Sequence, residues 1–284
     1  MSTSTETSPS PKKFGLWHET SGSRGALPLV LCHGGPGLSD NLEPVAAMVD
    51  DLAFVVRYDQ RGGGRSAEVG RPYDIATFVT DLEELRGELG FERWVVGGHS
   101  WGALLALLYC LEHPDRALGL VYLSGPGLDF SRRDEAARER MRRLTESERR
   151  ELEHGSPPLK RRLQLMWSTD FAHRDNCPDF NREPLYRWPR NEAVSRALVA
   201  ECDRMFATRE PRVRLARMPT PALVVRGDGD PIPRRGPQEV AALLPEAQFL
   251  ELAGVGHLPW LERPELLRDG LRSFLTGTIS NRCA

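Results

Sequence analysis

The sequence predicts an α/β fold, a mostly parallel β-sheet with helices on both faces. Short apolar runs rich in Val, Leu and Phe alternate along the chain with segments whose apolar residues recur at helical spacing. Several of these runs lack polar alternation, as expected of strands that are buried on both faces. A chain of 284 residues with 40% hydrophobic residues is also long enough to bury one large core.

Six apolar runs are predicted to be strands, and four segments between or after them are predicted to be helices. The predicted strands are Leu29–Cys32, Ala53–Tyr58, Trp94–Val96, Gly119–Leu123, Ala222–Val225 and Phe249–Leu252. The predicted helices are Phe78–Leu89, Ala103–Leu111, Gln238–Leu244 and Pro264–Phe274. Alternation of this kind implies strand–helix–strand units and therefore parallel strands.

The alternation stops between residues 129 and 219, in a region that is rich in arginine and helical in pattern. The strand pattern resumes at Pro221. Because the sheet needs the segments on both sides, we expect a helical insertion between two late strands rather than an independent domain. The expected organisation is a tail over residues 1–13, an α/β core over 14–128 and 220–284, and the insertion over 129–219.

Charge and composition argue against several classes of partner. The formal net charge of -2 does not suit a nucleic-acid-binding protein, and no apolar run approaches the roughly 18 residues of a membrane-spanning helix. The stretch Met1–Lys13 is rich in Ser, Thr and Pro, without the basic-then-apolar order of a secretory signal. We therefore expect a disordered N-terminal tail, a cytoplasmic protein, and neither a nucleic-acid nor a membrane partner. The oligomeric state has no signal in the sequence.

A candidate nucleophile lies between a predicted strand and a predicted helix. The residues Gly98-His99-Ser100-Trp101-Gly102 match the pattern G-x-S-x-G, in which a tight turn holds the serine above the edge of a sheet. Flanking glycines relieve the crowding of such a turn. Ser100 is therefore the predicted nucleophile, whereas His99 is expected to have a structural role.

Serine needs a base to remove its proton, and the base needs an orienting acid. His257 follows the last predicted strand, so it can lie above the same sheet edge as Ser100. Asp228 and Asp230 both follow the preceding strand, and the position of Asp230 further into the loop favours it; Asp129 is a third candidate. The chain order Ser, Asp, His is typical of a serine hydrolase in which the serine follows a strand of an α/β sheet.

An early strand ends in the glycine-rich turn His33-Gly34-Gly35-Pro36-Gly37. Glycines permit a backbone curve whose N–H groups converge, as an oxyanion hole requires. The amides of Gly35 and Trp101 are the predicted donors. A phosphate cradle is disfavoured, because the chain has neither a GxGxxG motif nor a Walker lysine.

Four motifs together resemble a known family. HGGPG, the run DQRGGGRS from Asp59, GGHSWG and GHLPWLERPE are similar to the prolyl iminopeptidase-related branch of the α/β-hydrolases. The resemblance extends from about Leu16 to Phe274 and is weakest in the insertion. It implies an α/β-hydrolase fold in which the insertion forms a helical cap over the site. It also implies that Asp59 and Arg61 brace the loops beside the oxyanion hole.

The insertion departs from the iminopeptidase pattern. Prolyl iminopeptidases bind the free amine of their substrate with cap glutamates, one of them in a Trp-x-x-Trp-Glu-like helix. The corresponding stretch here reads LMWSTDF over residues 165–171, without that motif, although Glu192 and Glu201 remain candidates. The residues expected at the substrate pocket are His33, Gly34, Trp167, Trp188 and Trp260.

The sequence therefore predicts a serine hydrolase that cleaves an ester, lactone or amide of a small organic or peptide-like molecule, without a metal or an organic cofactor. Three alternatives stay open. They are an aminopeptidase that releases N-terminal proline, a hydrolase of carbon–carbon bonds, and a ligand-binding protein without catalytic activity. Arginines of the insertion would favour an acidic substrate if they faced the pocket.

Overall fold

A seven-stranded sheet forms the centre of the protein. The computed structural model describes residues 15–129, 133–180 and 185–279. The strands are β1 (His18–Ser21), β2 (Leu27–Cys32), β3 (Ala53–Tyr58), β4 (Trp94–His99), β5 (Ala117–Leu123), β6 (Ala222–Gly227) and β7 (Ala247–Leu252). Their spatial order is β1-β3-β2-β4-β5-β6-β7, in which β1 is antiparallel to β3 and every other pair is parallel.

Helices follow or separate the strands along the chain. In the described residues they are α1 (Glu43–Ala46), α2 (Ile75–Glu88), α3 (Trp101–Glu112), α4 (Arg133–Arg143), α5 (Glu146–His154), α6 (Leu159–Ser168), α7 (Glu192–Phe206), α8 (Glu210–Leu215), α9 (Arg235–Leu243), α10 (Pro259–Glu262) and α11 (Pro264–Ser273). Side chains at the N-termini cap several of these helices. Asp74 accepts a hydrogen bond from the Thr77 amide (2.7 Å) at the start of α2, and Asn191 caps α7 in the same way.

The predicted α/β fold with a mostly parallel sheet is confirmed. Each of the six predicted strands is present, and five of them are longer than predicted. Strand β1 was not predicted; its residues His-Glu-Thr-Ser are polar and lie at the antiparallel edge of the sheet. An edge strand that is partly open to solvent has no apolar run from which it can be recognised.

Apolar clusters cover both faces of the sheet. Strands β3, β4 and β6 are buried along their whole length. One cluster contains Trp94 and Tyr109 with the apolar residues of α2 and α3, and the other contains Leu223 with those of α1 and α11. Burial on both sides explains why these strands read as continuous apolar runs. Within the described residues, the helices are too short or too polar to span a bilayer.

The chain between β5 and β6 is helical where the structure describes it. It holds α4, α5, α6, α7 and α8, and its described residues contain no strand. The predicted tail over residues 1–13 lies outside the described part of the chain.

Candidate active site

Loops at the carboxyl ends of neighbouring parallel strands surround one cavity. Ser100 follows β4, the turn from His33 follows β2, Asp230 follows β6 and His257 follows β7. These strands end at one edge of the sheet, so residues distant in sequence meet there. The cavity has a volume of about 480 Å³, and both Ser100 and His257 line it.

The turn at Ser100 is strained and sterically restricted. Ser100 has φ 55° and ψ −118°, in the positive-φ region that non-glycine residues rarely adopt. A Cβ atom on Gly98 would lie 2.1 Å from the Gly102 carbonyl oxygen, and one on Gly102 would lie 2.0 Å from the Cys32 carbonyl oxygen. Larger residues cannot fit at either position, so the two glycines let β4 turn directly into α3 with Ser100 at the bend.

The imidazole of His257 is paired with Asp230. Nδ1 of His257 lies 3.0 Å from Oδ2 of Asp230, and Oδ1 of Asp230 accepts from the Ile232 amide at 2.8 Å. Because a carboxylate can only accept, Nδ1 carries the proton in this pair. Nε2 is then the nitrogen of His257 that can take a proton.

The charges of this pair stabilise each other inside the protein. Burial favours the neutral imidazole, but the charge of Asp230 and its hydrogen bond outweigh burial, so the pKa of His257 lies above its ordinary 6.5. Burial also favours a neutral carboxyl, but the charge and hydrogen bond of His257 outweigh it and lower the pKa of Asp230. His257 is therefore a stronger base than an isolated histidine.

Asp228, the other acidic residue after β6, has different partners. Its Oδ1 accepts from the amides of Gly254 (2.8 Å) and Val255 (3.3 Å), in the loop that leads to His257. Of the two candidate acids, the structure places Asp230 on the imidazole and Asp228 on the backbone.

The glycine-rich turn after β2 lies beside the serine. Gly34 and Gly35 line the cavity, and a Cβ atom on Gly34 would lie 3.6 Å from Cβ of Ser100. The amide of Trp101 is the first of α3, where no preceding carbonyl of the helix can pair with it. The two predicted oxyanion donors therefore border the same part of the cavity as Ser100.

One side chain that the sequence analysis passed over, Gln60, connects these two segments. Its Oε1 accepts from the Trp101 indole N–H (2.8 Å), and its Nε2 donates to the His33 carbonyl oxygen (2.7 Å). The amide of Gln60 also donates to Nε2 of His33 at 3.0 Å. The side chain is 2% exposed, so water does not compete for these bonds. The only sequence signal was its place in the DQRG motif, between Asp59 and Arg61.

Asp59 and Arg61 bind other parts of the same loops. Asp59 accepts from the amides of Asp40 and Arg65, each at 2.7 Å, and Arg61 pairs with Asp81 of α2. Neither residue lines the cavity. Their contacts hold the loops after β2 and β3 against each other and against α2.

The backbone of His257 is held at both ends. Its amide donates to the Asp170 carbonyl oxygen (2.6 Å), and its carbonyl oxygen lies 2.8 Å from Nε2 of His99. A carbonyl can only accept, so Nε2 of His99 carries a proton. Burial, together with the charge of His257, lowers the pKa of His99 well below its ordinary value. A neutral His99 thus fixes the loop of His257 from the position next to Ser100.

Of the five expected pocket residues, Gly34 and Trp167 line the cavity. His33, Trp188 and Trp260 are not among the residues that line it. His33 is fully buried and bonds Gly34 and Gln60, whereas Trp260 is 4% exposed and packs edge-on against His99 at 4.7 Å. Trp188 packs against the guanidinium of Arg65. That a residue is close to a site motif in the sequence does not tell whether its side chain points into the cavity.

Most charged side chains of the cavity wall have an interaction partner within the protein. Asp170 pairs with Arg140 at 2.7 Å, and Glu239 pairs with Arg212 at 2.8 Å. The described residues contain no group of three or more His, Cys, Asp or Glu side chains placed to hold a metal ion.

Comparison with known proteins places this geometry in context. The model of the alpha/beta hydrolase fold family matches residues 28–264. A probable proline iminopeptidase of Leptolyngbya boryana is 38% identical over 109 residues, which are 37% of this chain and 34% of that protein. A proline iminopeptidase of Neisseria meningitidis is 39% identical over 108 residues, 37% of this chain and 35% of the relative. The aligned segment thus spans about a third of these relatives.

Solved structures agree with the fold over nearly the whole chain. Proline iminopeptidase of Mycobacterium smegmatis has a TM-score of 0.68 and 23% identity, covering 94% of this chain and 96% of that one. A meta-cleavage product hydrolase of Pseudomonas fluorescens IP01 has a TM-score of 0.70 and 19% identity, covering 95% of both chains. At these identities the likeness concerns the fold.

Proposed function

Because the chain belongs to the α/β-hydrolase fold family, we propose that it is a serine hydrolase that works through an acyl-enzyme. Its substrate is an ester, lactone or amide of a small organic or peptide-like molecule. The observation that carries this proposal is the His257–Asp230 pair in a cavity that Ser100 also lines. A strained serine, an oriented imidazole and a buried carboxylate are the three parts of a nucleophilic triad.

The reaction follows from the protonation state of His257. Ser100 Oγ attacks the substrate carbonyl carbon while Nε2 of His257 takes the hydroxyl proton, and the imidazolium that forms is stabilised by Asp230. The bond to the leaving group breaks, and His257 returns the proton to that group. A water molecule then attacks the acyl-enzyme while His257 takes one of its protons, and His257 returns this proton to Ser100 Oγ as the acid product departs.

The negative charge that develops on the carbonyl oxygen needs donors that are already in place. The amides of Gly35 and Trp101 fill this role in our proposal, since both residues line the cavity beside Ser100. Gln60 holds the two segments that carry these amides at a fixed separation.

We propose that residues 129–219 act as a cap over this site. Three of its helices, α4, α6 and α7, contribute Ala136, Met166, Trp167 and Val199 to the cavity wall. The segment after α6 also touches the catalytic loop, since the Asp170 carbonyl accepts from the His257 amide. A cap so placed restricts water and selects the substrate.

An aminopeptidase is the second candidate, favoured by the similarity to proline iminopeptidases over about 110 residues. A protonated amine in the cavity would need an acidic partner. Asp170 and Glu239 already pair with arginines, and Asp129 has an interaction within the protein as well. The charges of the described cavity residues therefore favour an ester, lactone or amide without a free amine near the scissile bond.

A fluorophosphonate probe tests the proposal directly, because such probes label only activated serines. We expect the wild-type protein to be labelled at Ser100, as read by peptide mass spectrometry, and the Ser100→Ala variant to remain unlabelled. Ser147→Ala is the matched control, since Ser147 is exposed on α5. Absence of labelling in the folded wild type, beside a labelled control hydrolase, would refute an activated nucleophile.

Gln60→Glu is expected to lower kcat on a p-nitrophenyl ester by about 10- to 100-fold and to change KM little. The substitution keeps the size of the side chain but places an oxygen, where Nε2 donates, against the His33 carbonyl. The oxyanion amides then shift relative to each other, which weakens binding of the transition state more than that of the ground state.

Gln248→Glu provides the control for this variant. Gln248 lies on β7 and bonds Thr278 far from the cavity, so the same chemical change there is expected to leave kcat intact. Near-ultraviolet circular dichroism checks the fold. Unchanged kcat in folded Gln60→Glu would mean that Gln60 does not position the donors.

A further inference from the structure

We infer that the substrate carries a carboxylate or similar anionic group close to the scissile carbonyl, and that Arg190 binds it. The inference rests on the proposed hydrolase function and adds the class of substrate. It depends on the surroundings of one guanidinium of the proposed cap, at the cavity wall beside the glycine-rich turn.

Arg190 is the cavity arginine whose charge is not neutralised by a described carboxylate. Its Nε donates to the Pro36 carbonyl oxygen at 3.2 Å, and one of its terminal nitrogens donates to the Ser195 hydroxyl. Both acceptors are neutral. The other arginines of the wall differ, since Arg140 pairs with Asp170 and Arg235 with Glu135.

These two bonds also fix where the guanidinium lies. Pro36 follows Gly35 in the glycine-rich turn, and Ser195 is a buried residue of α7. The side chain is thereby held against the turn that borders Ser100, with further N–H donors available for a ligand. A guanidinium fork matches the two oxygens of a carboxylate, and such charge-assisted bonds are stronger than neutral ones.

The position predicts an anion only a few atoms from the reacting carbonyl. If the anion belongs to the acyl part of the substrate, the substrate is a half-ester of a short dicarboxylic acid. If it belongs to the alcohol part, the substrate is an ester of a hydroxy acid. Both kinds of substrate place a carboxylate within reach of the turn, so Arg190 would bind both in the same way. The experiment distinguishes the two kinds.

Two pairs of esters provide the test. The acyl pair is p-nitrophenyl hydrogen glutarate and its methyl ester, and the alcohol pair is 4-(butanoyloxy)benzoate and its methyl ester. We expect the wild type to prefer the anionic member of at least one pair by about 10-fold in kcat/KM. Because Arg190 is exposed to solvent, the preference is expected to fall with rising salt.

Three variants assign the preference to Arg190. Arg190→Gln is expected to abolish it by lowering kcat/KM for the anionic esters more than for the neutral esters, and Arg190→Lys to keep part of it. Arg187→Gln makes the same change of net charge at an exposed neighbouring residue that does not line the cavity, so it is expected to behave as the wild type.

Each other outcome counts against the inference. If the wild type hydrolysed both members of each pair equally well, the inference that the substrate is anionic would be wrong. If Arg190→Gln lowered kcat/KM equally for neutral and anionic esters, Arg190 would stabilise the turn without binding the anion. Failure of the proposed function looks different, because then the neutral esters are not hydrolysed and Ser100 is not labelled by fluorophosphonate.

Discussion

Ser100→Ala is expected to lower kcat by about 10⁵-fold or more, and His257→Ala by a similar factor. The double variant is expected to be no slower than either single variant. The reason is that His257 acts only through Ser100. Once either residue is replaced, the other no longer contributes to catalysis. The measurement is kcat on a p-nitrophenyl ester for the two single variants and the double variant, compared as a double-mutant cycle.

His154→Ala is the control, because His154 is exposed on α5 away from the cavity. It is expected to keep full activity. If the losses of Ser100→Ala and His257→Ala multiplied in the double variant, the two residues would act independently and the proposed mechanism would fail.

Asp230→Asn is expected to lower kcat/KM by about 10⁴-fold, because an amide cannot orient and charge-stabilise the imidazole as a carboxylate does. The same variant is expected to shift the pH profile. Below its pKa, His257 is protonated and cannot take the Ser100 proton, so wild-type activity appears as pH rises through a value above 6.5. Without the charge of Asp230, burial dominates, and the residual activity appears at lower pH.

Asp228→Asn is the matched comparison, two residues away in the same loop. Its Oδ1 accepts from backbone amides, and an asparagine oxygen accepts in the same way. We expect this variant to keep its activity within a few-fold and its pH profile unchanged. A large loss in Asp228→Asn with little loss in Asp230→Asn would exchange the roles of the two acids.

The fold was largely predictable from the sequence because its strands are buried on both faces. A strand such as β6 cannot expose polar side chains, so its apolar run is visible without any tertiary information. The position of Ser100 was predictable for a similar reason, since only glycine fits at positions 98 and 102. The half-exposed edge strand β1 lacked such a constraint and was missed.

The composition of the cavity wall was much less predictable. Trp188 and Trp260 were expected there, but packing turns Trp260 towards His99 and Trp188 towards Arg65. A short sequence motif predicts where the backbone turns. It does not predict the direction in which a neighbouring side chain points.

The sequence by itself determined six of the seven strands, their alternation with helices and the position of the candidate nucleophile, because burial and backbone geometry restrict residue type locally. Only the tertiary structure decided that Asp230 rather than Asp228 meets His257, that Gln60 bonds both Trp101 and His33, and that Arg190 borders the cavity without a described carboxylate partner. Such contacts join residues that are far apart in the chain. Their energies depend on distances and burial that only the folded arrangement sets.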